Sequence, residues 1–121
     1  MNTRWKKTVF CDIDGTLIKH PPTPSSALKA LGMVLLEGTL EKLDEWDKKG
    51  YNIILTTGRK ESMRPVVEKQ LQEAGMYYDQ LIMGIGGGPR VLINDLKPNI
   101  DEKMATAINI KRDVGIANIK I

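Results

Sequence analysis

The sequence predicts an α/β domain built around a mostly parallel β-sheet. Short apolar runs bounded by turn residues recur along the chain, as is typical of strands buried on both faces. Segments with apolar residues at helical spacing alternate with these runs, and this alternation favours parallel strands joined by helices. A length of 121 residues suits one hydrophobic core, so we expect a single domain over residues 1–121.

Five apolar segments are predicted to be strands: Thr8–Ile13, Tyr51–Leu55, Leu81–Met83, Val91–Ile93 and, last in the chain, Val114–Ile116. Two helices are predicted between the first three of them. The first is expected to begin at a capping Thr39 and end at Gly50, and the second to run from Ser62 to Gly75. A third helix is expected over Asp101–Asn109.

The composition is that of an ordinary globular protein, with 41% hydrophobic and 27% charged residues. The net charge is +3, from 18 basic and 15 acidic residues that are scattered along the chain. This pattern gives little support to a nucleic-acid partner. The sequence contains no apolar run long enough to span a membrane and no recognisable signal peptide, which predicts a cytoplasmic protein with no membrane partner.

Cysteine and histidine each occur once, as Cys11 and His20. The chain therefore has no internal disulfide and no cysteine-rich or histidine-rich metal site. Any metal site must be built mainly from oxygen ligands.

Polar side chains follow three of the predicted strands. Asp12 and Asp14 come at the end of the first, Thr56–Thr57 at the end of the second and Asn94–Asp95 at the end of the fourth. The carboxyl ends of parallel strands meet at one edge of a sheet, where ligands bind in open α/β folds, so we expect these residues to converge. Three carboxylates suit Mg²⁺, and an aspartate is a known nucleophile toward phosphorus.

These segments resemble the motifs of the haloacid dehalogenase-like (HAD) superfamily. Asp12–Thr16 resembles its first motif, Ile54–Arg59 its second and Leu92–Asp95 its fourth. The resemblance implies a three-layer, Rossmann-like domain. The intervals Gly15–Gly38 and Arg59–Val91 are too short for an inserted cap domain, which indicates a capless member.

The resemblance also implies a role for each site residue. Asp12 is the nucleophile that forms an aspartyl-phosphate, and Asp14 is the general acid and then the general base. Thr57 binds the transferring phosphoryl group. Asp95 binds Mg²⁺ together with the Asp12 carboxylate and the Asp14 backbone carbonyl. The neighbouring residues implied to contact substrate are Gly15, Thr16, Thr56, Gly58, Arg59 and Asn94.

The sequence departs from the family pattern at the third motif. Relatives carry a lysine near the strand that follows the second helix, whereas Leu81–Gly86 contains none. Lys97 is our candidate for this catalytic cation, because a long flexible stem can return its ammonium group to the site. Arg59 and Arg90 are the alternatives. A proline-rich flap over Lys19–Ser25 is expected beside the site.

The sequence thus predicts a Mg²⁺-dependent phosphomonoester phosphatase that acts on a small phosphorylated metabolite, such as a sugar phosphate or a nucleotide. The absent third-motif lysine keeps open an alternative, a catalytically idle module that binds Mg²⁺ and a phosphorylated ligand or partner. A phosphatase for nucleic-acid ends is a weaker third hypothesis. Self-association is expected because a capless chain of this size needs some means of excluding water from its site.

Overall fold

The computed structural model of the protein describes residues 5–21 and 32–121. Its sheet has three strands: β1 (Thr8–Asp12), β2 (Asn52–Thr56) and β3 (Gln80–Ile82). The strand order is β1-β2-β3 and both pairs are parallel. The predicted α/β class with a parallel sheet is confirmed. Each strand lies within one residue of its predicted position.

Two helices follow β1 and β2, as predicted: α1 (Thr39–Lys48) and α2 (Arg64–Glu73), the latter preceded by a 3-10 turn at Glu61–Met63. The prediction that Thr39 caps α1 is wrong. Gly38 is the capping residue, with φ of 86°, and Thr39 is the first helical residue. The Thr39 hydroxyl instead donates to the Leu17 carbonyl at 2.6 Å, which ties the start of α1 to the loop after β1.

One hydrophobic core joins the helices to one face of the sheet. Leu43 of α1 and Leu71 of α2 are fully buried and belong to the same cluster as Leu55 of β2. The opposite face of the sheet is less well covered. There Phe10 of β1 is 54% exposed and Ile82 of β3 is 37% exposed.

The chain after β3 differs from the prediction. The predicted strands Val91–Ile93 and Val114–Ile116 and the predicted helix Asp101–Asn109 are absent from the described structure. A strand over Val91–Ile93 that paired with β1 would need a parallel crossover of about a dozen residues or more. Only residues 83–90 separate it from β3, and several of these are bound to the site region.

The last residues pack against the loop after β1 instead of forming a strand. Ile116 is buried, and its backbone N–H donates to the Glu37 carbonyl. Asp113 accepts from the His20 backbone N–H at 2.7 Å, and its own N–H donates to the Gly15 carbonyl. These bonds hold one end of the predicted flap. Residues 22–25 of that flap lie outside the described part of the chain.

None of the helices in the described ranges is long and apolar enough to cross a membrane. The same residues contain no inserted cap domain.

Candidate active site

The loop after β1 is a tight turn built around one carbonyl group. The Ile13 oxygen accepts hydrogen bonds from three successive backbone N–H groups, those of residues 16–18. Gly15 adopts φ of 85°, a conformation that favours glycine, and donates to the Ile18 carbonyl. This turn fixes Asp12 and Asp14 at the carboxyl edge of the sheet, as the sequence predicts.

Asp14 is held by two residues of the loop after β2. The Arg59 guanidinium binds it through two nitrogens, with Nη2 2.8 Å and Nε 3.2 Å from Oδ1. The Thr57 hydroxyl donates to Oδ2 at 2.9 Å. The Arg59 and Asp14 side chains are only 7% and 18% exposed. The Asp14 carboxylate therefore has a fixed orientation in a largely buried setting.

Thr57 contacts Asp14 through its only hydroxyl proton. The same oxygen accepts from the Arg59 backbone N–H at 3.1 Å, and the residue is fully buried. In this arrangement Thr57 has no proton left for a phosphoryl group. The structure thus gives Thr57 a different contact from the one that the family resemblance implies, namely with the Asp14 carboxylate.

Asp12 is less constrained than Asp14. The Thr16 hydroxyl donates to its Oδ2 at 3.4 Å, and the Ile13 backbone N–H also favours its charged form by lowering its pKa. Partial burial of the carboxyl raises its pKa, the negative charge of Asp14 raises it further, and the cation of Arg90 acts in the opposite direction. The residue keeps an exposed face. Asp12 is thus a weakly held carboxylate that is open to a ligand.

Cys11 lies directly before Asp12 but takes no part in the exposed site. Burial raises the pKa of its thiol to about 12, with a smaller contribution from the charge of Asp12. A thiol that stays protonated at neutral pH is a poor nucleophile. The carboxylates are therefore the candidates for covalent chemistry here.

The structure does not bring the predicted fourth motif to this edge. Asn94 and Asp95 lie on an exposed segment, and Lys97 Nζ contacts Asp95 Oδ1 at 2.9 Å. That hydrogen bond and the charge of Lys97 lower the pKa of Asp95. Within the described ranges, no three acidic, histidine or cysteine side chains are close enough to hold a metal ion. The described residues thus do not group Asp95 with Asp12 and Asp14 as a metal site, and Lys97 pairs with Asp95.

The remaining predicted contacts fall in two groups. Thr16 contacts Asp12, and Gly58 lies against the Gly86 backbone so closely that an added Cβ would be 2.8 Å from its carbonyl oxygen. Gly15 and Thr56 contribute backbone hydrogen bonds to the turn. The Gly15 N–H donates to the Ile18 carbonyl, and the Thr56 carbonyl accepts from the Ile13 N–H. The sequence did not predict that Arg59 binds the Asp14 carboxylate. The one signal for this contact was the position of Arg59 two residues after Thr57.

The donor atoms suit a hard cation. Asp12 offers a carboxylate and Asp14 a backbone carbonyl, and oxygen ligands are those that Mg²⁺ prefers. These groups fit Mg²⁺ in kind, although no further carboxylate completes a metal cluster with Asp12 and Asp14 within the described ranges.

A family model described as haloacid dehalogenase-like hydrolase matches residues 9–80, more than half of the chain. The chain belongs to the haloacid dehalogenase-like hydrolases. The matched residues of this hydrolase contain Asp12, Asp14, Thr57 and Arg59. The match ends before the segment Leu92–Asp95, which the structure also leaves apart from the site.

Solved structures similar to this hydrolase include a chain of the Pnkp1/Rnl/Hen1 complex, with 31% identity and a TM-score of 0.59. That alignment covers 74% of the hydrolase and 32% of the other chain. A structure of the Pnkp1/Rnl/Hen1 RNA repair complex matches at 30% identity and a TM-score of 0.54, over 68% of the hydrolase and 27% of that chain. The hydrolase spans no more than about a third of either chain.

A Vibrio cholerae protein of known structure is 19% identical, with a TM-score of 0.53, over 76% of the hydrolase and 84% of that chain. At this identity the likeness concerns the fold alone. No curated protein matches the hydrolase.

Proposed function

We propose that this hydrolase is a phosphomonoester phosphatase in which Asp12 is the nucleophile. The observation that carries the proposal is the contrast between two neighbouring carboxylates. Asp14 is clamped by Arg59 and Thr57, whereas Asp12 accepts a long side-chain hydrogen bond from Thr16 and has an exposed face. A nucleophile needs a free approach to its substrate, and a proton-transfer group needs a fixed position.

Each proposed step has a residue that performs it. An Asp12 carboxylate oxygen attacks phosphorus, the bond from phosphorus to the leaving oxygen breaks, and Asp14, which must enter this step in its protonated form, gives that oxygen its proton and becomes a carboxylate. In the second step Asp14 takes a proton from a water molecule that attacks the aspartyl-phosphate. The bond between phosphorus and Asp12 then breaks and inorganic phosphate leaves. Arg59 and Thr57 act as positioning residues, because they hold Asp14 and do not reach the exposed site.

Two groups offset the negative charge of the substrate. Arg90 is the cation whose field reaches Asp12, and its guanidinium suits a phosphate. When bound, Mg²⁺ supplies positive charge beside the reacting phosphoryl group. We propose the Asp12 carboxylate, the Asp14 backbone carbonyl and the Asp95 carboxylate as three of its ligands.

A small phosphorylated metabolite is the substrate class that we favour. A terminal phosphate of an RNA strand is a second candidate, because a chain of an RNA repair complex is 30% identical to the hydrolase. The exposed positions of Asp12 and Arg90, with no cap among the described residues, are compatible with a large substrate. The net charge of +3 comes from basic and acidic residues scattered along the sequence, a pattern that does not favour a long strand as substrate.

The test is phosphate release from para-nitrophenyl phosphate with Mg²⁺ and with a chelator, for the wild type and Asp12→Asn. Asp47→Asn, an exposed site on α1, is the matched control. We expect metal-dependent turnover that Asp12→Asn abolishes and Asp47→Asn preserves. Turnover that survives Asp12→Asn contradicts the proposal. Absence of turnover on aryl, sugar and RNA-terminal phosphates favours the idle binding module.

A matched pair of substrates separates the two substrate classes. A short RNA with a terminal phosphate is compared with the corresponding free nucleotide, at low and high salt. A preference for the oligomer that weakens steeply with salt identifies a nucleic-acid substrate. Equal or better turnover of the free nucleotide identifies a small-molecule phosphatase.

A further inference from the structure

The outer edge of β1 has no partner among the described residues. β1 pairs with β2 on its inner side. There the Ile13 N–H donates to the Thr56 carbonyl, and the Lys7 carbonyl accepts from the Asn52 N–H. Backbone groups alternate in direction along a strand, so those of Thr8, Phe10 and Asp12 point away from β2. No backbone hydrogen bond satisfies them within the described ranges. An open strand edge of this kind is a template for another strand.

A second unpaired segment has the composition of a strand. We call residues 90–109 the arm. Its apolar residues Val91, Leu92 and Ile93 are 84%, 56% and 89% exposed. The described structure gives residues 91–96 no backbone hydrogen bond. Three exposed β-forming residues in succession form a surface that soluble proteins usually cover.

The connection between β3 and the arm is too short for the arm to pair in parallel with β1 of its own chain. To run parallel to β1, Val91 must lie beside Thr8, at the end of the sheet opposite to that where β3 finishes. Residues 83–90 would have to span three strand spacings, about 14 Å, and the length of a strand, about 17 Å. They are fewer than a parallel crossover requires. The start of this connection is also held in place, since the Gly84 N–H donates to the Arg59 carbonyl.

A second copy of the chain removes this restriction. We propose that two copies exchange arms, so that Val91–Asp95 of each pairs in parallel with Thr8–Asp12 of the other. Both segments are five residues long, and this register sets Asp95 beside the Asp12 of the other copy. Lys97 follows two residues later and brings its positive charge to the same carboxylates. The exchange supplies an acidic ligand and a lysine ammonium group that the described residues of a single chain do not bring to Asp12.

The connection to the arm is suited to such an exchange. Gly84 and Gly86 both have φ of 74°, and Gly87 and Gly88 follow. Glycines tolerate the backbone changes that redirect a chain, and exchange of an identical element between copies is a low-cost route to a dimer. The pairing does not depend on the phosphatase proposal, whereas the contribution of Asp95 to catalysis rests on it.

A cross-linking experiment tests the pairing without any activity. Thr8→Cys and Val91→Cys are made in separate chains that carry tags of different size and are co-expressed. Both positions are exposed, and the native thiol of Cys11 is buried. Mild oxidation is expected to link one chain of each type. Thr8→Cys with Tyr77→Cys, another exposed site, is the control pair and is expected to stay unlinked.

Light scattering then gives the oligomeric state of the wild type. A dimer with a linked Thr8–Val91 pair is the expected result. A monomer, or a dimer in which no link forms between the two types of chain, overturns the proposal.

Complementation tests the shared site in the active protein. Asp12→Asn and Asp95→Asn are each expected to be inactive alone. In a co-expressed mixture, each heterodimer contains one site with both native residues, so about a quarter of all sites are intact. Recovery of about a quarter of the wild-type turnover is expected. With an active wild type and a confirmed dimer, no recovery overturns the shared site; an inactive wild type with successful cross-linking contradicts only the phosphatase proposal.

Discussion

The Arg59 guanidinium and the Asp14 carboxylate form the most constrained ionic pair in the described site. Two guanidinium nitrogens lie within 3.2 Å of Oδ1, and both side chains are largely buried. The pair joins the loop after β1 to the loop after β2. It therefore couples the position of the proton-transfer group to the packing of the domain.

Replacing Arg59 is expected to affect stability and activity together. Arg59→Ala leaves the Asp14 carboxylate buried without its cation, a change that costs about 3 kcal/mol or more. Arg59→Lys keeps the charge but loses the planar two-nitrogen contact, so turnover should fall even where folding is retained. Urea denaturation and turnover measure the two effects. Lys48→Ala, which removes an exposed pair with Asp44, should change neither.

Removing the Thr57 hydroxyl should misplace Asp14 with little change in volume. Thr57→Val deletes the donor to Asp14 and leaves the buried Arg59 N–H without its acceptor, at a cost of about 1–3 kcal/mol. We expect kcat to fall with KM nearly unchanged, because Thr57 does not reach the exposed site. Thr57→Ser restores the hydroxyl and should recover most of the turnover. A Thr57→Val variant that raises KM alone would instead indicate direct substrate contact.

The glycine pair Gly38 and Gly75 tests the packing of the last residues. Both have a positive φ, which costs a side chain roughly 1–2 kcal/mol. A Cβ on Gly38 would lie 2.4 Å from the Ala117 Cα, whereas Gly75 has no atom within 4 Å of such a Cβ. Gly38→Ala should therefore be clearly more destabilising than Gly75→Ala in urea. Equal losses would mean that Ala117 does not pack where the structure places it.

Cys11 should be protected from thiol reagents in the folded protein. Burial raises the pKa of its thiol from 9.0 to about 12, and the thiolate is the reactive form. At pH 9 about half of the thiol is ionised in the urea-unfolded chain but only a very small fraction in the folded one, so labelling at pH 9 should be far slower in the folded protein. A colorimetric thiol reagent measures both rates. Rapid labelling of the native protein would show that β1 is not packed as described.

Arg90 should contribute to substrate binding because its field reaches Asp12. Arg90→Ala is expected to lower kcat/KM for a phosphate monoester by about tenfold, as a charge-assisted contact of about 1.5 kcal/mol implies. Lys69→Ala, an exposed position on α2, is the control and should have no effect. Unchanged kinetics in Arg90→Ala would indicate that Lys97, and not Arg90, provides the catalytic cation.

The fold as far as β3 was predictable because its signals are local. The apolar run of β2 and the helical spacing of Leu43 and Trp46 in α1 identify their elements without knowledge of the rest of the chain. Val91–Ile93 has an equally strong apolar pattern, yet the described structure leaves it unpaired. Its pairing depends on the length and anchoring of the connection from β3, which a pattern of residue types does not contain.

The site was predictable in part for the same reason. Asp12 and Asp14 follow a strand directly, so their place at the sheet edge comes from topology alone. The clamp on Asp14 depends on how the chain turns after Gly58 and on which guanidinium nitrogens reach the carboxylate. Such details arise from packing between distant segments. The sequence therefore suggested Arg59 as a substrate contact or an alternative catalytic cation, and not as the partner of Asp14.

Mass spectrometry of acid-quenched turnover mixtures tests most directly whether Asp12 carries the phosphoryl group. We expect a phosphoryl adduct on the peptide that contains Asp12. This adduct should increase in Asp14→Asn, which lacks the base for the second step, and disappear in Asp12→Asn. An active enzyme that shows no adduct under any of these conditions, or shows it on another residue, would contradict the account.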